Sequence, residues 1–406
     1  MKILYFGTVC DLKAYDRLLG GCRVRPSVAP IVFETALLEG LKENGADVEI
    51  LSYPMIPAFP AGRLLYFGGQ RETLPCGYVC RWLRSVNLPV IKQMTRRLDA
   101  RRTLKRWLKE NTGNGVIVTY SIPPFLVGDI LKYAGRYGVK TAAIIPDLLR
   151  DMYINEDRRS PVTKLKQLYL APALRLQGEY DGYIYLTEGM REAVAPGKPY
   201  IVMEGMAGAS ACQASGACGK APVRAIMYAG MLHEKYGVLN LLDAFEALEE
   251  ENTELWMFGS GTAVPEIRRR AAQNHRIRYF GTVSRDEILA FERKATLLVN
   301  PRDPHEAFTR YSFPSKTIEY MLSGTPLVTT RLEGIPNEYF DYVFDAPGNR
   351  AEDLRRSLQA ALAYSADELN AFGARAQRFI AENKSACRQA ERILDFLKEV
   401  THGTSA

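Results

Sequence analysis

Residues Asn300–Val328 read NPRDPHEAFTRYSFPSKTIEYMLSGTPLV. The preceding run, ATLLVNP, is apolar and meets a proline, as the end of a strand does. A polar loop follows, then the turn Phe313-Pro314-Ser315-Lys316, which opens a short helix carrying Glu319. That helix stops at Ser323-Gly324, before the strand TPLVTT. Proline near the start and glycine past the end are the expected helix punctuation. A loop feeding a helix N-terminus at the carboxyl end of a parallel strand is where α/β proteins bind phosphate. Free N–H groups and the positive end of the helix dipole both point at the anion. A lysine at the turn and a carboxylate one turn later can divide a nucleotide between phosphate and ribose.

The rhythm of strand and helix extends outward in both directions. MKILYFG, ADVEILSY, GVIVTYS, KTAAIIPD and GYIYLT have the character of strands, and IVFETALLEGLKENG and PFLVGDILKYAGRYG that of crossover helices. After MAGASACQASGACGKA, residues 206–221, the alternation restarts with AIMYAG, VLNLLDAFEALEEE and ELWMFG. The expected fold is α/β with two Rossmann-like, doubly wound domains facing across a cleft. The expected boundaries are 1–205, a linker at 206–221, 222–385, and a last helix at 386–406 that crosses back onto the first domain. Two stretches break the rhythm, the Gly20-Gly21 loop and the Pro- and Gly-rich Tyr53–Asn87 segment.

Composition bounds the function. The chain has 406 residues, enough for two or three cores, and its 47% hydrophobic and 24% charged residues argue against disorder. MKILYFGTVCDL reads as a first strand and not as a signal peptide. No apolar run approaches the roughly 20 residues a spanning helix needs. The seven scattered cysteines lack a paired C-x-x-C framework, which favours reduced thiols and a cytoplasmic setting. Cys76 and Cys80 have no histidine near them, so no metal is expected. The formal charge of +7 is uneven. IKQMTRRLDARRTLKRWLKE, residues 91–110, reads as a basic amphipathic helix with Ile91, Met94, Leu98, Leu104, Trp107 and Leu108 on its apolar side. It is either a solvated surface helix or a peripheral contact with an anionic membrane at the inner face of the plasma membrane. No nucleic-acid module accompanies the charge.

In the second half, YAGMLHEKYGVLNLLDAF, MFGSG, FGTVSRDEI and FPSKTIEYMLSGTPLV follow one another between Ile226 and Tyr339. Their order and spacing resemble the donor domain of retaining GT-B glycosyltransferases, above all the family 4 enzymes that build bacterial polysaccharides and glycolipids. The resemblance implies a nucleotide-sugar donor, a UDP- or GDP-sugar, and neither metal nor cofactor. Gly230 would let a phosphate approach the backbone, and Lys235 would neutralise the donor diphosphate. Many relatives carry an arginine where this chain has Met231, so Lys316 becomes a candidate for the second cation. Gly259 and Gly261 would turn the next loop near the donor, with Ser315 at the third. Glu319 matches the second glutamate of the family's E-x7-E motif and would accept from the ribose hydroxyls. The first glutamate is displaced, since Tyr311 stands eight residues upstream and the nearest upstream acid is Glu306. Either Glu306 folds back to the sugar or its role passes to backbone amides. The base would meet main-chain groups near Thr282 and Val283.

The resemblance is weaker in the first half. Gly20 and Gly21 occupy the place of a glycine-rich loop on the acceptor side. Asp147 follows strand KTAAII where many relatives have a histidine–aspartate pair, and all four histidines of this chain lie in the second half. Asp147 would bind sugar or acceptor, or cap the helix that follows. The implied reaction is transfer with retention to a lipid-linked or polysaccharide-repeat acceptor, through an oxocarbenium-like state in which the departing phosphate takes the acceptor proton. The alternatives are a nucleotide-sugar-binding protein with little transfer activity and an epimerase on the same plan.

Overall fold

A computed structural model of the chain describes residues 1–151, 161–208 and 219–403. Most of the loop 206–221 lies outside the described residues. Contacts divide the chain into two compact units, Met1–Gly208 with Ala386–Ala406, and Ala209–Ser385.

The strands of the first unit are β1 (Lys2–Gly7), β2 (Asp47–Ser52), β3 (Tyr66–Phe67), β4 (Arg71–Thr73), β5 (Val79–Trp82), β6 (Ser85–Val86), β7 (Gly115–Tyr120), β8 (Lys140–Ile145), β9 (Gly182–Tyr185) and β10 (Tyr200–Val202). Eight of them form one sheet in the order β10-β9-β8-β7-β1-β2-β5-β4, parallel except for β4 on β5. The segment that broke the sequence rhythm thus extends the sheet through β4 and β5, while β3 and β6 pair separately and antiparallel. Such two- to four-residue strands are too short to leave a legible alternation. The Ala386–His402 helix packs on this unit. A Cβ on Gly40 would lie 2.1 Å from the Ala386 carbonyl, so only glycine allows the helix that close.

In the second unit, β11 (Arg224–Ala229), β12 (Thr253–Phe258), β13 (Ile277–Gly281), β14 (Leu297–Asn300), β15 (Leu327–Thr330) and β16 (Phe344–Ala346) form a wholly parallel sheet in the order β13-β12-β11-β14-β15-β16. This is the doubly wound order in which strand progression reverses once, between β11 and β14. Ligands of such sheets bind outside the carboxyl ends of the strands at that reversal. Near-continuous burial of β11, β12, β14 and β15 matches helices on both faces.

The basic helix forms at Ile91–Glu110, but its faces differ from the sequence reading. Leu104, Trp107 and Leu108 are buried, whereas Ile91, Met94 and Leu98 are exposed. The reason is geometric. Six residues separate Leu98 from Leu104, about one and two-thirds turns, so the two apolar groups lie about 120° apart around the helix and only one of them can face the core. The buried positions of the first turns are cationic instead. Arg96 donates from Nε to Ser85 Oγ at 3.0 Å and from Nη2 to the Pro54 carbonyl at 2.7 Å, and Lys92 donates to the Ile56 carbonyl. Arg97 pairs with Asp129 at 2.7 Å. Trp107 lies in the core.

Candidate functional site

The carboxyl ends of β11, β12 and β14 carry the residues that the sequence singled out. Gly230 follows β11 and its amide donates to the Phe258 carbonyl at 3.1 Å. Gly259 follows β12 with φ +124°, and a Cβ there would lie 1.8 Å from the Gly230 carbonyl oxygen. A Cβ on Gly261 would lie 2.3 Å from the Leu232 carbonyl oxygen. These glycines therefore let two loops interlock backbone to backbone, which Leu232 N donating to Ser260 O at 2.9 Å completes. Thr282 and Val283 follow β13 next to this pair, for the Gly259 amide donates to the Gly281 carbonyl at 2.8 Å.

Lys235 lies in the short 3-10 turn Glu234–Tyr236, exposed, with its ammonium 5.3 Å from the centre of the Tyr236 ring. The next residue, Gly237, has φ +76°, and a Cβ there would lie 1.8 Å from the Pro301 carbonyl oxygen. The loop after β11 thus meets the loop after β14, across the strand reversal. Glu306 is exposed at the start of the 3-10 turn Ala307–Tyr311, and its carbonyl receives Thr309 N and Oγ1.

The Lys316–Leu322 helix starts after the Phe313-Pro314-Ser315 turn, and Thr317 N donates to the Pro314 carbonyl at 2.8 Å. Its position is fixed by Tyr320, whose hydroxyl accepts from Ala229 N at 2.9 Å and donates to Ala229 O at 3.0 Å. That clasp ties the helix to the end of β11, one residue before Gly230. Lys316 is paired with Glu319, and its ammonium is 3.6 Å from Glu292, a fully buried carboxyl on the Arg285–Lys294 helix. Arg285 approaches the other oxygen of Glu319 at 3.7 Å. Burial, with Glu319 beside it, pushes the Glu292 carboxyl above the carboxylate range. For Glu319 burial pulls the same way, but Lys316 and a hydrogen bond from Glu292 outweigh it and hold it below that range. Of the two adjoining carboxyls beside this lysine, Glu292 is the more basic.

The remaining expected positions belong to the first unit. Gly20 ends the Leu12–Leu19 helix, and Gly21 has φ +77° with the Arg63 guanidinium packed where a Cβ would project. Asp147 follows β8 and is exposed. A residue the sequence did not reveal is Glu34, fully buried on the Ala29–Glu43 helix. It accepts from Thr8 N at 2.9 Å, Tyr5 OH at 3.0 Å and Thr8 Oγ1, gripping the loop that leaves β1. Burial pushes its carboxyl up to about 7 against those hydrogen bonds.

Comparison with known proteins accords with this arrangement. Residues 223–363 match the family described as glycosyl transferases group 1. Among solved structures, the chain is similar to a sucrose-phosphate synthase from Thermosynechococcus elongatus, at 14% identity and TM-score 0.63 over 100% of both chains. It is similar to Anabaena HepE in complex with UDP, at 12% identity and TM-score 0.58 over 98% of this chain and 100% of that one. It also resembles the trehalose-6-phosphate synthase of E. coli, solved bound with UDP-2-fluoro glucose, at 12% identity and TM-score 0.62 over 98% and 99%. A comparison with curated proteins gave no match. The fold is GT-B, and its second unit carries a glycosyltransferase-like domain. Within the second unit, residues 223–363 are similar to the group 1 glycosyltransferases.

Proposed function

We propose that the chain moves a sugar from a UDP- or GDP-sugar to a lipid-linked or polysaccharide-repeat acceptor. The observation that carries this reading is the convergence of Gly230, Lys235, Ser315, Lys316 and Glu319 on the loops at the strand reversal of the second unit. Glu319, held ionised, is the acceptor for the ribose diol. Lys235 meets the diphosphate. In the reaction the bond from the anomeric carbon to the phosphate oxygen breaks, the acceptor hydroxyl oxygen bonds that carbon on the same face, and its proton passes to the departing phosphate. Charge stabilisation of the leaving group is the main catalytic contribution, and no protein base is required. Two relatives in complex with UDP or a UDP-sugar support a uridine donor over the guanosine alternative.

The test is a thermal-shift screen of nucleotide sugars followed by turnover with Lys235→Ala. A ligand that binds only the folded state raises Tm. The expected result is a shift with one donor and a loss of turnover of about a hundredfold, the scale of removing one charge-stabilising group. Wild-type turnover in Lys235→Ala would remove it from the clamp. Donor binding without transfer to any acceptor would instead favour a binding protein.

For the acceptor, the layout of the first unit supports an anionic lipid surface as partner. Residues 17–33, 50–71 and 73–98 contain Arg17, Arg23, Arg25, Arg63, Arg71, Arg81, Arg84, Lys92, Arg96 and Arg97 and not one Asp or Glu. The same segments expose Val24, Leu65, Tyr66, Val90, Ile91, Met94 and Leu98. Of these cations Arg17, Arg23, Arg25, Arg63, Arg71 and Arg84 are exposed. Apolar side chains among them suit headgroups and acyl chains, whereas a nucleic acid would use only the cations.

A further inference from the structure

The strand reversal of the second unit holds a cation that the donor reading has not used. Arg302 follows Pro301 at the carboxyl end of β14, the strand beside β11. Its guanidinium lies 5.2 Å from the centre of the Tyr236 ring, the ring that also carries the Lys235 ammonium at 5.3 Å. The contact of Gly237 with Pro301 fixes the two loops at that separation. Tyr228 and Tyr320 also lie near enough to act on the guanidinium electrostatically. Among the described residues no carboxylate pairs with Arg302, whereas three other cations of the second unit are paired. Lys316 has Glu319 and Glu292, Arg285 has Glu319, and Arg310 has Glu333. Burial accordingly makes the Arg302 guanidinium less basic than usual. A half-buried cation set against aromatic rings with no carboxylate partner is incompletely compensated for its desolvation, and an arriving anion would offset that cost.

We propose that Arg302 is a phosphate-binding residue, forming with Lys235 on the shared Tyr236 ring the seat for a nucleoside diphosphate group. This rests on the donor-site reading above and changes one part of it. Lys316 is already held by two carboxyls, so Arg302 and not Lys316 is the second cation. Its planar fork can give two parallel N–H donors to one phosphate, which a lysine in the same place cannot.

Calorimetric titration of the full chain with inorganic pyrophosphate, UDP, GDP, uridine and guanosine tests the assignment, using wild type, Arg302→Met and Arg302→Lys. Arg302→Met should weaken the preferred diphosphate tenfold or more, leave the matching nucleoside unchanged, and keep or raise the melting temperature without ligand. Arg302→Lys should recover part of the diphosphate affinity. Unchanged diphosphate affinity in Arg302→Met overturns the proposal and leaves Arg302 as packing for Tyr236. If Arg302→Met does not fold, Arg302→Lys decides, because wild-type diphosphate affinity there contradicts a bidentate fork. A wild type that binds none of the diphosphates overturns the donor-site reading itself, which separates the two failures.

Discussion

At the scale of the residue, Lys316 and Glu319 were legible because the FPSK turn and the SG stop bracket them in one short helix. Glu292, Arg302 and Glu34 were not. Each acquires its meaning from a partner distant in sequence, and an acid on an amphipathic helix is ordinarily solvated. Glu34 gives a pH signature. Its folded-state pKa, about 7, lies above the ordinary carboxylate value of 4.5. The folded protein therefore holds this proton more tightly than the unfolded chain. The resulting stabilisation is fully present below about pH 4.5 and is lost as pH rises through about 7, amounting at most to about 3 kcal/mol. Glu34→Gln keeps the shape and cannot ionise. Chemical denaturation of both proteins between pH 5 and pH 8 should show wild-type stability declining relative to the variant. A constant difference between them across that range would mean that Glu34 does not titrate there.

At the scale of the element, the alternation of strand and helix was readable almost throughout, because apolar strands in a parallel sheet and amphipathic crossovers leave distinct periods. The Ile91–Glu110 helix was misread where composition replaced period. Buried Arg96 and Lys92 carry their own carbonyl and hydroxyl partners, which no local pattern announces. The loops show the same limit. Gly230, Gly259 and Gly261 stand out after strands, but Gly237, which brings the loops of β11 and β14 together, looks like any turn glycine. Gly237→Ala would combine left-handed strain, about 1–3 kcal/mol, with a Cβ 1.8 Å from the Pro301 carbonyl oxygen. Gly45→Ala is the control, since Gly45 has φ +71° but open space around its missing Cβ. The expected outcome is a fall in Tm for Gly237→Ala clearly larger than for Gly45→Ala, together with weaker donor binding only in the former. Equal melting shifts and unchanged donor affinity would mean that the loop contact is not needed.

At the scale of the whole molecule, net charge alone says little; its distribution says more. The three acid-free segments of the first unit are joined by hydrogen bonds, Arg23 N to Ala61 O at 2.9 Å, Arg63 Nε to Gly21 O at 3.2 Å, Phe59 N to Asn87 O at 2.8 Å and Asn87 N to Leu65 O at 2.7 Å. Residues far apart in sequence thus share one surface, which is why the linear reading assigned membrane contact to the helix alone. Charge reversal at Arg96 would test folding and not binding, because Arg96 is buried. The informative variants are Arg23→Glu with Arg25→Glu, and Met94→Ser with Leu98→Ser, all at exposed positions. Near an anionic bilayer each cation contributes about 1 kcal/mol, so the arginine pair should lower binding at least about tenfold. Co-sedimentation with phosphatidylglycerol vesicles should capture the wild type at low salt, release it as salt screens the charges, and capture both double variants poorly. Neutral phosphatidylcholine vesicles should capture little. The serine pair separates lipid from a generic polyanion, because it removes apolar contact without changing charge. If it binds anionic vesicles as the wild type does, the surface recognises charge alone and the lipid assignment fails.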